Sequence, residues 1–147
     1  MPDVLYTATA TATGGAGAGV STSDNRLELG LSVPAALGGD DGPGTNPEQL
    51  FASGYAACFQ EALEAVARLG GTEVGSWSVT VTTSLVGHLT EGMDLTAHVA
   101  VTMPGVDDET AADLVDRAYA ACPYSRAVDG RVERDVVITE AAGRPKG

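Results

Sequence analysis

The longest periodic stretch of the chain is a helical pattern that begins after Asn46 and ends at Gly70-Gly71. Apolar residues recur along it at steps of three and four, the spacing of one face of an α-helix. These residues are Phe51, Tyr55, Cys58, Phe59, Ala62, Val66 and Leu69. Asn46 is a good N-cap, Pro47 suits the first helical position, and glycine commonly ends helices. The pattern predicts a central helix with Cys58 on its inner side.

Alternation of apolar and polar residues on both sides of this helix predicts five strands. The glycine-rich run at residues 14–19 is expected to bend the chain, and Ser23-Asp24-Asn25 to form a turn. The connection through residues 87–92 predicts an antiparallel hairpin between the third and fourth strands. The predicted strands cover residues 4–13, 27–33, 77–85, 93–103 and 132–139.

A second helix is predicted from Asp107 to about Cys122, where Pro123 should end it. Its apolar side consists of Ala111, Leu114, Val115, Ala118 and Cys122. The element order is therefore two strands, helix, two strands, helix and strand, which is typical of the α+β class. With no repeat and no long linker, the pattern predicts a single domain over residues 1–147.

Composition and charge narrow the possible partners. The 20 acidic and 8 basic residues give a formal charge of −12, which disfavours nucleic-acid and anionic membrane surfaces. No stretch reaches a membrane-spanning length, and residues 1–6 lack the basic flank of a signal peptide, so a cytoplasmic protein is expected. The wide apolar face of the central helix exceeds what one small sheet covers, which favours a homodimer.

Cys58 and Cys122 are the candidate reactive groups, since two cysteines in a cytosolic chain that meet in space are more plausibly redox-active than structural. The thiolate is the attacking form, and burial raises a thiol pKa unless a cation or a donor compensates. For either cysteine taken alone, inert packing in the core is the better explanation. Tyr124 and Ser125 are candidate hydrogen-bond donors near Cys122, although a turn also explains them.

A metal site is not predicted. Asp40 and Asp41 are adjacent carboxylates without the spacing of a calcium loop, and His88 and His98 have no further ligands beside them. Neither a metal nor another cofactor is therefore expected.

Two segments resemble the organic hydroperoxide resistance family within the osmotically inducible protein C (OsmC) superfamily. They are residues 45–59, TNPEQLFASGYAACF, and residues 121–125, ACPYS. Residues 6–10, 27–34 and 37–39 also fit the family in the same order. The resemblance covers essentially the whole chain.

The resemblance implies an intertwined homodimer of α+β subunits, with antiparallel sheets around two long central helices and active sites at the subunit interface. Members of the family reduce organic and fatty-acid hydroperoxides. By position, Cys58 would be the peroxidatic cysteine that becomes a sulfenic acid, and Cys122 the resolving cysteine that closes a disulfide. A dithiol such as a lipoyl group would reopen it. Glu48 matches the family glutamate that holds an arginine against the reactive sulfur.

The sequence departs from the family at Ala16, which occupies the position of that arginine. Without a cation, Glu48 would place a carboxylate near a thiolate and raise the thiol pKa. Arg26 and Arg126 are the candidate replacements. Three hypotheses stay open: a cysteine-based organic hydroperoxide peroxidase, a paralogue with weak or no peroxidase activity that binds an apolar ligand or senses peroxide, and a dimeric scaffold with inert cysteines.

Overall fold

A computed structural model describes residues 2–129 and the backbone of residues 136–139. It contains both helices and small sheets, so the predicted α+β class is confirmed. The chain divides into two compact units, with the boundary between Pro47 and Glu48. The single domain over residues 1–147 stays a prediction. Within the described residues, no helix is long and apolar enough to cross a membrane.

The first unit contains an antiparallel sheet of three short strands, β1 (Ala10–Thr13), β2 (Gly19–Thr22) and β3 (Glu28–Gly30), in that order. The predicted strand over residues 4–13 forms only in its last four residues. Ala10 pairs with Thr22 at the end of β2, and the chain turns immediately afterwards, so no partner strand continues. β3 is likewise shorter than the predicted 27–33, and Leu31 makes only an isolated bridge to Thr45.

The glycine-rich run bends the chain between β1 and β2, as predicted. The Ala18 N–H donates to the Gly15 carbonyl at 3.1 Å, and Ala16 lies between them on the turn. Gly17 has a φ of 77°, the positive value that a type II turn requires at its third position. The second turn is also confirmed, with Asn25 at a φ of 58°. β2 itself was not predicted, because the glycines hide its short pattern.

The second unit is organised around α1 (Pro47–Leu69), which confirms the predicted central helix. At its end, the Thr72 N–H donates to the Ala67 carbonyl at 2.9 Å and the Gly71 N–H to the Arg68 carbonyl at 3.1 Å. These two bonds form a Schellman motif, with Gly71 at a φ of 75°. The buried residues are Tyr55, Phe59, Ala62, Leu63, Val66 and Ala67.

The predicted inward position of Leu69 is wrong, since this residue is 85% exposed. The buried face centres on Tyr55, Phe59 and Leu63, and Leu69 lies at its edge in the last turn. Cys58 lies along the same edge, which explains why it is only partly buried.

β4 (Ser78–His88) and β5 (Gly92–Thr102) form the predicted antiparallel hairpin, with β4 longer than expected and a short loop between the strands. The core side of β5 includes Ala97, Val99 and Val101. β6 (Val136–Thr139) pairs with β5 in parallel, an orientation that the sequence did not indicate. The remainder of the predicted last strand, residues 132–135, lies outside the described residues.

α2 (Asp108–Ala121) begins at the N-cap Asp107, whose carboxylate accepts the Thr110 N–H at 2.9 Å. Its predicted apolar side is buried against the core, as expected. Pro123 ends α2 and also opens a short helix, α3 (Pro123–Val128), that was not predicted. Proline suits the first position of a helix because no intrahelical partner is needed there. Cys122 therefore lies at the corner between two helices.

Candidate redox-active cysteine pair

The Sγ atoms of Cys58 and Cys122 lie 3.4 Å apart, and both cysteines are free thiols. Cys58 is on α1, whereas Cys122 is at the corner between α2 and α3. A disulfide bond is about 2.05 Å long, so the sulfurs need to approach by only about 1.4 Å to form one. The structure thus brings together the two cysteines selected from the sequence.

The two sulfurs differ in access and in mobility. Cys122 is 0% exposed, whereas Cys58 is partly exposed. The backbone of Cys122 is held on both sides, because its N–H donates to the Ala118 carbonyl at 2.8 Å and its carbonyl accepts the Arg126 N–H at 3.1 Å. An external reagent therefore reaches Cys58 more readily than Cys122.

Tyr124 covers part of α1 next to the cysteines. Its ring centroid lies 6.1 Å from that of Tyr55 and 6.4 Å from that of Phe51. Gly54 makes this packing possible, because a Cβ at position 54 would lie 2.9 Å from the Tyr124 hydroxyl. The role of Gly54 was missed in the sequence; a glycine inside an otherwise strong helix was the available signal.

Two residues of α3 form hydrogen bonds with α1 beside the cysteines. The backbone of Tyr124 hydrogen-bonds the Cys58 sulfur. The Ser125 Oγ lies 2.9 Å from the Tyr55 hydroxyl, and both residues are 0% exposed. The donors suggested near Cys122 are therefore engaged with groups on α1.

Burial is the main influence on the Cys58 thiol and raises its pKa above the ordinary value. The hydrogen bond from the Tyr124 backbone opposes this increase, because an N–H stabilises the thiolate. The Cys122 thiol and the negative charge of Glu61 raise the pKa further. Within the described part of the second unit, no cation is among the groups that shift it.

Glu48 is not brought to the sulfurs within one chain. It is the second residue of α1, ten positions before Cys58. At a rise of 1.5 Å per residue, that separation is about 15 Å along the helix axis. Glu48 is therefore too far along α1 to contact the Cys58 sulfur of its own chain directly.

The position of the family arginine and its two candidate replacements are all exposed. Ala16 is on the turn between β1 and β2, and Arg26 forms an ion pair with Asp24 at 3.5 Å in the following turn. Arg126 is in the last turn of α3.

No three metal-ligating side chains cluster anywhere in residues 2–129.

Comparisons with known proteins show the family to which the chain is related. The sequence model of the family described as OsmC-like protein matches residues 38–136. An organic hydroperoxide resistance protein of Xanthomonas axonopodis pv. citri is 44% identical over 139 residues, covering 94% of this chain and 96% of that protein. The organic hydroperoxide resistance protein OhrA of Bacillus subtilis is 38% identical, covering 95% of this chain and 100% of that one.

The fold has close counterparts among solved structures. A crystal structure of an organic hydroperoxide resistance protein from Elizabethkingia anophelis matches with a TM-score of 0.89 and 36% identity. The match covers 95% of this chain and 100% of that one. The chain therefore belongs to the organic hydroperoxide resistance family of OsmC-like proteins.

Proposed function

We propose that this protein is a thiol-dependent peroxidase that reduces organic hydroperoxides, alkyl or fatty-acid, to alcohols. The observation that carries the proposal is the 3.4 Å separation of the Cys58 and Cys122 sulfurs. The names of the relatives, which are organic hydroperoxide resistance proteins, support the substrate class.

The reaction proceeds in three steps. The Cys58 thiolate attacks the terminal peroxide oxygen, the O–O bond breaks, and the alcohol leaves with a proton. Cys58 is now a sulfenic acid, oxidised by two electrons. The Cys122 thiol then attacks the Cys58 sulfur, forming the disulfide and releasing water. A dithiol of the lipoyl type finally exchanges with the disulfide, restoring two thiols and leaving as its own disulfide.

The difference in exposure supports this division of roles. Cys58 is the sulfur that a hydroperoxide can reach, whereas the buried Cys122 is reached only from Cys58. The same argument applies to the reduction of the disulfide, because a dithiol can attack it only at an accessible sulfur. Cys58 therefore reacts with the external partner in both half-reactions, as the nucleophile towards the hydroperoxide and as the sulfur attacked by the dithiol, and Cys122 is the leaving group in the second.

A homodimer completes the proposal. Glu48 lies about 15 Å along α1 from the cysteine of its own chain, so its catalytic role requires a site at a subunit interface. The carboxylate would then orient a cation beside the sulfur of the second copy. Which arginine supplies that cation is open between Arg26 and Arg126.

Turnover with an alkyl hydroperoxide and a dithiol tests the mechanism. We expect Cys58→Ser to abolish turnover, because no other described thiol is accessible. Cys122→Ser should still consume about one hydroperoxide per chain, since the sulfenic acid forms but cannot be resolved. Retained turnover in the Cys58 variant, or failure to find residues 58 and 122 joined by mass mapping, would reject the proposal.

A second candidate is a paralogue with weak or no peroxidase activity that binds an apolar ligand or senses peroxide stoichiometrically. The raised pKa of Cys58, together with alanine at position 16, favours it. This candidate predicts slow or single-turnover oxidation, which Ala16→Arg should accelerate. Multiple fast turnovers by the unmodified chain would exclude it.

A further inference from the structure

The hydrogen bond between Tyr55 and Ser125 runs beside the cysteine pair. Tyr55 precedes Cys58 by three residues on α1, and Ser125 follows Cys122 by three residues. The two hydroxyl oxygens are 2.9 Å apart and the two sulfurs are 3.4 Å apart. The hydroxyl pair and the sulfur pair therefore both join α1 to the first turn of α3. Along each helix, the two pairs are separated by one turn.

We propose that the Tyr55–Ser125 hydrogen bond positions Cys122 against Cys58 and thereby raises the effective concentration of the two thiols for each other. The inference deepens the proposed function and rests on it. Tyr55 and Ser125 are positioning residues, because they act through the placement of the sulfurs.

The backbone transmits the position of Ser125 to Cys122. The Cys122 carbonyl accepts the Arg126 N–H at 3.1 Å, so Cys122 and Ser125 belong to the same first turn of α3. α3 is only six residues long, and Ser125 is its buried residue, while the Tyr124 ring packs against Tyr55 and Phe51 of α1. The hydrogen bond of Ser125 therefore adds a buried polar contact that fixes the corner at Cys122 relative to α1.

The Tyr55–Ser125 hydrogen bond is well suited to fix the corner at Cys122, because both hydroxyls are shielded from water. Both residues are 0% exposed, so water does not compete for the bond between the two hydroxyls. Disulfide closure depends steeply on geometry, since displacements of about 1 Å can change intramolecular reaction rates by large factors. A looser corner would lower the probability that the sulfurs meet.

Equilibration of the protein with mixtures of reduced and oxidised dithiothreitol measures this effect directly. The reaction converts two protein thiols and one cyclic disulfide into a protein disulfide and one dithiol. We expect Tyr55→Phe and Ser125→Ala each to lower its equilibrium constant about tenfold, which raises the reduction potential by about 30 mV. Thermal unfolding of the same variants separates this shift from a general loss of stability.

Tyr119→Phe is the matched control. The Tyr119 hydroxyl donates to the Asp129 carboxylate at 3.1 Å, so this variant also removes a tyrosine hydrogen bond near α3. Tyr119 is also three residues from Cys122, but its bond is exposed and joins α2 to Asp129 instead of joining α3 to α1, so the potential should remain that of the unmodified protein. The double variant Tyr55→Phe/Ser125→Ala removes both polar groups, leaves neither of these two hydroxyls unpaired, and should show the same shift as the single variants.

An unchanged potential in the Tyr55 variant and the double variant, whatever their melting temperatures, would overturn the inference. So would an equal shift in Tyr119→Phe, or an unmodified protein that forms no disulfide in oxidised dithiothreitol. The measurement needs no hydroperoxide. Absent peroxidase turnover together with a shifted potential would therefore reject the proposed function while supporting the positioning role.

Discussion

The pKa of the Cys58 thiol is raised by some neighbouring groups and lowered by another. Its place at the edge of the buried face of α1 raises the thiol pKa, and a single backbone donor from Tyr124 lowers it. Glu61, one turn further along the same helix, adds a negative charge that disfavours the thiolate. The thiol is therefore held mainly in its protonated form by groups of its own unit.

Replacing Glu61 tests this balance. Glu61→Gln removes a negative charge that raises the Cys58 pKa, so alkylation at pH 7 should accelerate. An exposed charge contributes up to about 1 kcal/mol, so the acceleration should stay below about fivefold. The rate of iodoacetamide labelling of Cys58 against pH, followed by peptide mass spectrometry, measures it.

Glu64→Gln is the control, because the Glu64 carboxylate is already paired with Arg68 at 3.1 Å and is not among the groups that shift the Cys58 pKa. Its labelling profile should match that of the unmodified protein. If Glu61→Gln leaves the profile unchanged as well, the charge does not act on the thiol. A pH midpoint well below that of a free thiol, about 8.5, would indicate a cation supplied from outside the described part of the second unit.

The end of α1 shows how one backbone position defines an element. Gly71 occupies the left-handed region that closes the Schellman motif, whereas Gly70 does not have a positive φ. Both residues are exposed, so the difference between them is conformational.

We expect Gly71→Ala to lower the free energy of unfolding by about 1 kcal/mol, because a Cβ disfavours the left-handed conformation. Gly70→Ala should be neutral or slightly stabilising, because alanine restricts the unfolded chain. The nearest neighbour of its Cβ would be the flexible end of Arg117 at 3.3 Å. Urea unfolding of both variants measures the difference, and equal losses would contradict the assignment of the motif.

Elements with strong local signals could be predicted from the sequence. α1, α2 and the β4–β5 hairpin carry caps or long periodic patterns. β2 and α3 are too short for a periodic pattern, and the parallel placement of β6 depends on contacts between distant segments. The 58–122 pairing followed from a family resemblance, whereas its Tyr55–Ser125 neighbour depends on how two helices pack, which no spacing within one segment encodes.

At the scale of the whole molecule, large apolar side chains are exposed in both units. Leu5 in the first unit is 94% exposed, and Leu69 and Leu89 are exposed in the second. Burial of apolar side chains favours association, so we propose that a second copy of the chain covers some of these residues. The wide apolar surface and the distant position of Glu48 thus favour the same assembly.

We expect light scattering at micromolar concentration to give about twice the 14.8 kDa mass of one chain. Burial of apolar surface between the copies should keep this mass constant as the salt concentration rises, unlike an association held by exposed charges. A mass of one chain under these conditions would remove both the dimer and the proposed role of Glu48.

The position of Cys122 beside Cys58 affects how well Cys58 resists overoxidation when hydroperoxide is in excess. A sulfenic acid that meets a second hydroperoxide becomes a sulfinic acid, a loss that most cells cannot repair. The rate of this overoxidation depends on the hydroperoxide concentration. The reaction of the sulfenic acid with the neighbouring Cys122 thiol is unimolecular and does not. Under the proposed peroxidase mechanism, the protein should therefore withstand many turnovers at high peroxide doses, and its inactivation per turnover should rise sharply in the Cys122→Ser variant.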